Sequence, residues 1–150
     1  MAERSPYKLG LAAFESADDL AAMRCFTEAV ALGDQPVAAL CKRGVCRVRI
    51  GDTAGAVKDF LAALDRDPRC VSAIVNLGSL ALDAGRLEEA QSRFQTAVNI
   101  DHRHAAAHHN LGVVLRRRGR LAQSVRELRL ATRLDADAAG LATRLKFWKK

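Results

Sequence analysis

Four histidines, His102, His104, His108 and His109, fall within eight residues and are the densest group of metal-ligating side chains in the sequence. If one helix carried both, His104 and His108 would stand one turn apart, a spacing that suits zinc or nickel. No cysteine joins them and Asp101 is the one acidic neighbour, so the stretch reads as a polar loop with a half-buried His108. No metal is expected there, although imidazoles in such a loop can change charge near neutral pH. Shortly after comes Arg116-Arg117-Arg118-Gly119-Arg120. Guanidinium groups serve phosphate and carboxylate alike. No aromatic residue interleaves this run to stack on bases. The paired acids Asp18-Asp19 and Glu88-Glu89 read as first-turn carboxylates that favour a helix dipole. There is no P-loop, no GxSxG, no HExxH and no phosphate-binding glycine fingerprint. The chain reads as a non-enzyme with no cofactor.

The composition bounds the elements that must hold these groups. At 150 residues the chain is long enough for one domain with a real core. Three prolines and 5% aromatic residues, in an alanine- and leucine-rich chain, favour helices. Cys25, Cys41, Cys46 and Cys70 make no CxxC pair and read as reduced, buried small hydrophobes. No apolar run approaches the ~18 residues of a membrane span. The start, MAERSPYKLG, lacks the apolar core of a secretory signal, so a soluble cytoplasmic protein is expected. The net charge of +7 is uneven. Residues 1–75 carry ten basic and ten acidic side chains, whereas residues 116–150 carry eleven basic against three acidic. That asymmetry points to an acidic contact near the carboxy-terminal end.

The organising feature is a period of 34 residues. Gly78, Gly85, Ala90, Phe94 and Ala97 recur upstream as Gly44, Gly51, Ala56, Phe60 and Ala63. They recur downstream as Gly112, Gly119, Ser124, Leu128 and Ala131, and more faintly at the start as Gly10, Ala22, Phe26 and Ala29. Each unit predicts two helices joined by a glycine turn, with boundaries at 3–36, 37–70, 71–104 and 105–138. Ser5-Pro6 predicts a capped helix start, and Asp67-Pro68 a stop. Glycine at the eighth place of each unit costs ~1 kcal/mol in a helix interior, so a partner helix is expected too close for a Cβ. The alanines are expected to let the second helix approach, and the phenylalanines to fill the volume between one unit and the next. Ser124 and Leu128 read as a loosening of the rule in the last unit. Residues 139–150 continue a stripe through Ala138, Leu141, Ala142, Leu145 and Trp148, which predicts a separate capping helix over the last apolar face.

On these marks the chain resembles the tetratricopeptide repeat family over residues 3–138. The resemblance implies an all-α fold: a right-handed α-solenoid of about four helix-turn-helix repeats plus a C-terminal capping helix. Departures occur where a bulky aromatic is usual, at Pro6, Leu40, Ile74 and His108 and at Ala13, Arg47, Ala81 and Leu115. The resemblance also implies a concave groove, lined by the first helix of each repeat, that takes peptides or partner proteins. By that placement the groove carries Lys8, Lys42, Arg49, Asn76, Ser79, His109, Asn110 and Arg117. Lys8, Lys42, Asn76 and Asn110 occupy one equivalent place in successive repeats. The carboxylate clamp of some family members is incomplete here, since Tyr7 and Leu11, or Cys41 and Val45, stand at its first pair. The expected function is therefore a protein-interaction scaffold for a peptide segment bearing acidic residues. The alternative is nucleic-acid or anionic-surface binding through Arg116, Arg117, Arg118 and Arg120, and self-association through the repeat ends is a third arrangement.

Overall fold

A computed structural model describes residues 5–148, with side chains described through residue 142, and all its regular structure is helical. The helices are α1 (Pro6–Glu15), α2 (Asp19–Leu32), α3 (Pro36–Arg49), α4 (Thr53–Arg66), α5 (Val71–Asp83), α6 (Leu87–Ile100), α7 (Ala105–Arg117) and α8 (Leu121–Trp148). The chain divides into two compact units, Met1–Leu77 and Gly78–Lys150.

The helices begin and end where local chemistry directs. Ser5 caps α1 by accepting the Lys8 N–H at 3.2 Å, and Pro6 fills the first helical position. Asp34 reinforces this start from the α2–α3 loop, accepting from the Ser5 hydroxyl at 2.6 Å and the Tyr7 N–H at 2.9 Å. These two bonds, the hydroxyl first, hold the Asp34 carboxyl below its ordinary pKa. Asp18 and Asp52 cap α2 and α4 through the N–H groups of Ala21 and Gly55. Pro68 cannot continue a helix, and Asp67 leaves α4 in an extended conformation.

The turn inside each hairpin is the same. Gly51, Gly85 and Gly119 take φ of +85°, +74° and +75°, the left-handed region glycine enters without strain. The equivalent place in the first hairpin is Ala17, which adopts φ +57°. In all four, the next N–H reaches back five residues: Asp18 to Ala13, Asp52 to Arg47, Arg86 to Ala81 and Arg120 to Leu115, at 2.8–2.9 Å.

In the first unit α1–α2 and α3–α4 form hairpins, and α2 packs on α3. Phe26 and Phe60 are fully buried. A Cβ added at Gly10 would lie 2.6 Å from the Phe26 ring, and one at Gly44 would lie 2.7 Å from that of Phe60. In the second unit a Cβ at Gly78 would meet Phe94 at 2.7 Å. This corrects the expected arrangement. The glycine makes room for the ring of its own hairpin's second helix, so the phenylalanine first closes a hairpin. Only then does it face the next one, as Phe26 does beside Ala39 and Cys46 of α3.

The last hairpin keeps the rule with different residues. Leu128 takes the ring's place 2.7 Å from a Cβ at Gly112, and the buried Ser124 hydroxyl donates to the Gly112 carbonyl at 2.7 Å. A buried hydroxyl needs such a partner, and the close backbone approach supplies it.

The expected separate cap is not a separate element. α8 runs unbroken through the segment, with Ala136 at the place where Pro68 follows the end of α4. Ala131 and Leu134 are buried, but residues 135–142 are exposed and Leu141 retains 60% of its surface. Ala138 and Leu141 therefore cover no apolar face. Leu145 and Trp148 of the expected stripe, and residues 149–150, lie outside the described side chains.

Candidate functional site

Phe14, in the last turn of α1, is half-buried and faces α3. Lys42 and Arg49 are two turns apart on α3, hence on one face. Lys42 Nζ lies 4.8 Å from the Phe14 ring centroid, and the Arg49 guanidinium carbon 4.0 Å from it. Cations over a ring face are worth ~0.5–1 kcal/mol each at exposed sites. The ring thus fixes two long side chains on the α1–α3 surface. Arg49 also donates to Asp19 Oδ1 at 3.1 Å, whereas Lys42 makes no ion pair among the described residues. Lys8 is exposed on α1.

The other sequence-selected residues are distributed as follows. Asn76, on α5 of the first unit, turns its amide back along its own helix and donates to the Ser72 carbonyl at 2.8 Å. In the second unit Ser79 is half-buried on α5, and on α7 His109 and Arg117 are exposed with Asn110 half-buried. Within the first unit, Lys42 and Arg49 are drawn together by Phe14.

The arginine run divides. Arg116, Arg117 and Arg120 are exposed, but Arg118 turns onto α6, where it hydrogen-bonds Gln91 Oε1 and sits 3.5 Å from a Glu88 oxygen. Arg120 and Arg126 also line a cleft of about 420 Å³ with Gln91 and Gln123.

Two of the four histidines serve the fold. His104 ends the loop and caps α7, its Nδ1 accepting the Ala107 N–H at 3.1 Å. His108 is buried rather than half-buried, at 6% exposure, because it occupies the place of Leu40 and Ile74. Its Nδ1 lies 2.7 Å from Glu127 Oε2 and its Nε2 lies 3.0 Å from the His102 carbonyl. Among the described residues no three histidine, cysteine or acidic side chains gather as a metal site requires.

Two features escaped the sequence reading. One is Phe14, which in the sequence is one more apolar residue of the first helix. The other is Asp59, buried on α4, which accepts from Arg43 at 2.6 and 3.0 Å and from Arg47 at 3.0 Å. Arg43 extends this network to Thr27 on α2 at 3.0 Å. The available signal was a shared place: Asp59 and Glu127 are 68 residues apart, and each carboxylate meets a basic side chain of the preceding helix.

Comparison with known proteins agrees with this geometry. Solved structures of MamA share the fold. One superposes with a TM-score of 0.75 at 17% identity over 90% of this chain and 79% of that one. MamA from Desulfovibrio magneticus RS-1, residues 41 to the end, gives 0.71 at 20% identity over 88% and 75%. At such identities the likeness is one of fold. No curated protein sequence matches the chain. A tetratricopeptide repeat profile matches residues 7–69, 41–101 and 75–139 in overlapping windows. With hairpins repeating every 34 residues and a profile match running from 7 to 139, the chain belongs to the tetratricopeptide repeat family.

Proposed function

We propose that this protein is a non-enzymatic interaction scaffold that takes an extended partner segment bearing acidic residues along the first helices of its hairpins. The observation that carries this is the Phe14 platform, with Lys42 held at 4.8 Å and lacking a carboxylate partner among the described residues. An ammonium fixed over a ring is pre-oriented, so a partner's carboxylate meets it with little ordering cost. Lys8, Asn76, Ser79, His109, Asn110 and Arg117 would contribute further polar contacts, and charge-assisted ones are the strongest of these. Protein partners, rather than small molecules, follow from a family built to present extended surfaces.

Fluorescence anisotropy with acidic, neutral and basic peptides tests the reading. The acidic set should bind best. Replacing Lys42, Asn76 and Asn110 together should weaken it at least ~10-fold, the loss of about 1.4 kcal/mol, with the circular dichroism spectrum unchanged. Unaltered binding by the triple variant would place the contact elsewhere.

The second reading, nucleic-acid or anionic-surface binding by the carboxy-terminal hairpin, is favoured by exposed Arg116, Arg117 and Arg120 and by the cleft lined by Arg120 and Arg126. Recovery of partners on an immobilised copy, with and without nuclease, separates the two. Loss of every partner after nuclease supports the second.

A further inference from the structure

Two of the four cysteines are not isolated. Cys41 Sγ, buried on α3, lies 3.5 Å from Cys70 Sγ, which is half-buried in the loop that leads into α5. Both belong to the first unit. The sulfurs are in van der Waals contact, 29 residues apart in sequence, with no helix shared between them. A disulfide needs S–S of about 2.05 Å, so bonding asks for a closure of roughly 1.5 Å. Cys70 can supply that movement, since it precedes the first residue of α5 and its side chain is not packed on every side.

We propose that Cys41 and Cys70 form a reversible dithiol–disulfide site, oxidised by a hydroperoxide, that clips α3 to the start of α5. The partly exposed Cys70 thiolate attacks the peroxide, taking one oxygen to become a sulfenic acid and releasing hydroxide or alkoxide. The Cys41 sulfur then attacks Cys70 Sγ, the S–O bond breaks, and the hydroxyl leaves as water with the Cys41 proton. Two electrons pass from the sulfur pair to the peroxide, and two thiols become one disulfide. Burial, then the charge of Cys70, pushes the Cys41 thiol up to about 12, while a Ser72 hydroxyl bonded to its sulfur works the other way. The second step quickens as pH rises because only the thiolate attacks. Cys25 and Cys46 have no such neighbouring sulfur among the described residues.

The experiment uses the full chain, treated with hydrogen peroxide, quenched by alkylation and analysed by intact mass and non-reducing peptide mapping. The expected product is two hydrogens lighter, carries two alkylatable thiols instead of four, and yields one peptide pair joining Cys41 to Cys70. It melts at a higher temperature than the reduced form, and dithiothreitol restores the original mass and melting point. Cys70→Ser should abolish the product and leave Cys70-independent folding intact by circular dichroism, while Cys25→Ser should form it normally. Accumulation of a sulfinic acid at Cys70 with Cys41 still alkylatable would overturn the proposal, as would a disulfide involving Cys25 or Cys46 instead.

Discussion

Ala17 is the one non-glycine residue among the four hairpin turns, and it sits at φ +57° where the others use glycine. A left-handed alanine carries about 1–2 kcal/mol of strain. Glycine there would relieve that strain but would free the unfolded chain by about 0.4–1 kcal/mol. Ala17→Gly should therefore stabilise the protein by about 0.5–1 kcal/mol net, measured by urea unfolding. The opposite substitution separates two kinds of glycine. Gly140→Ala meets nothing within 4 Å and should gain up to about 1 kcal/mol. Gly44→Ala drives a Cβ to 2.7 Å from Phe60 and should lose about 1–3 kcal/mol. Equal effects at the two sites would mean that the ring contact imposes no constraint. The glycine-and-phenylalanine pattern was legible because it is periodic. Phe14 was not, because its role depends on Lys42 and Arg49 arriving from another helix.

At the scale of elements, the helix limits followed from local chemistry: capping aspartates, prolines at two helix starts and one stop, and glycine turns. The continuity of α8 belongs to the same scale. An apolar stripe through Ala138 and Leu141 shows that a helix can be amphipathic, but not that anything lies beneath it. No proline or glycine stands between Leu128 and Ala139, and the helix-favouring alanines there let α8 continue where α6, also without a proline, ends at Ile100. The Asp59 network was invisible for a different reason. Its one periodic mark is an acid at the same place two units on, Glu127, which says nothing of the partners: Asp59 joins α3 to α4, with Arg43 reaching α2. Removing one partner of a buried charge group leaves the others uncompensated. Asp59→Ala should cost about 3 kcal/mol, read as a lower denaturant midpoint, and more than the surface substitution Asp65→Ala.

For the whole molecule, acid stability offers a direct check on the amino-terminal tether. The Asp34 carboxyl titrates below its ordinary 3.8 because the Ser5 hydroxyl and the Tyr7 N–H bond its charged form. A depressed folded pKa contributes stability that is complete above the unfolded value and is lost as pH falls through the folded one. Melting temperatures should therefore drop below pH ~4, and the drop should be smaller in Asp34→Asn. An identical acid limb in that variant would show that the loop does not hold α1. The uneven charge was legible from composition, but which arginines face solvent was not, since Arg118 is claimed by α6.

The ring-on-glycine contact also bears on how such a chain lengthens. Because Phe26, Phe60 and Phe94 each seat on a glycine of their own hairpin, every pair of helices carries its principal lock within itself. Duplicating or excising one 34-residue cassette would leave that lock whole in every survivor, and only the seams between neighbours would have to be renegotiated.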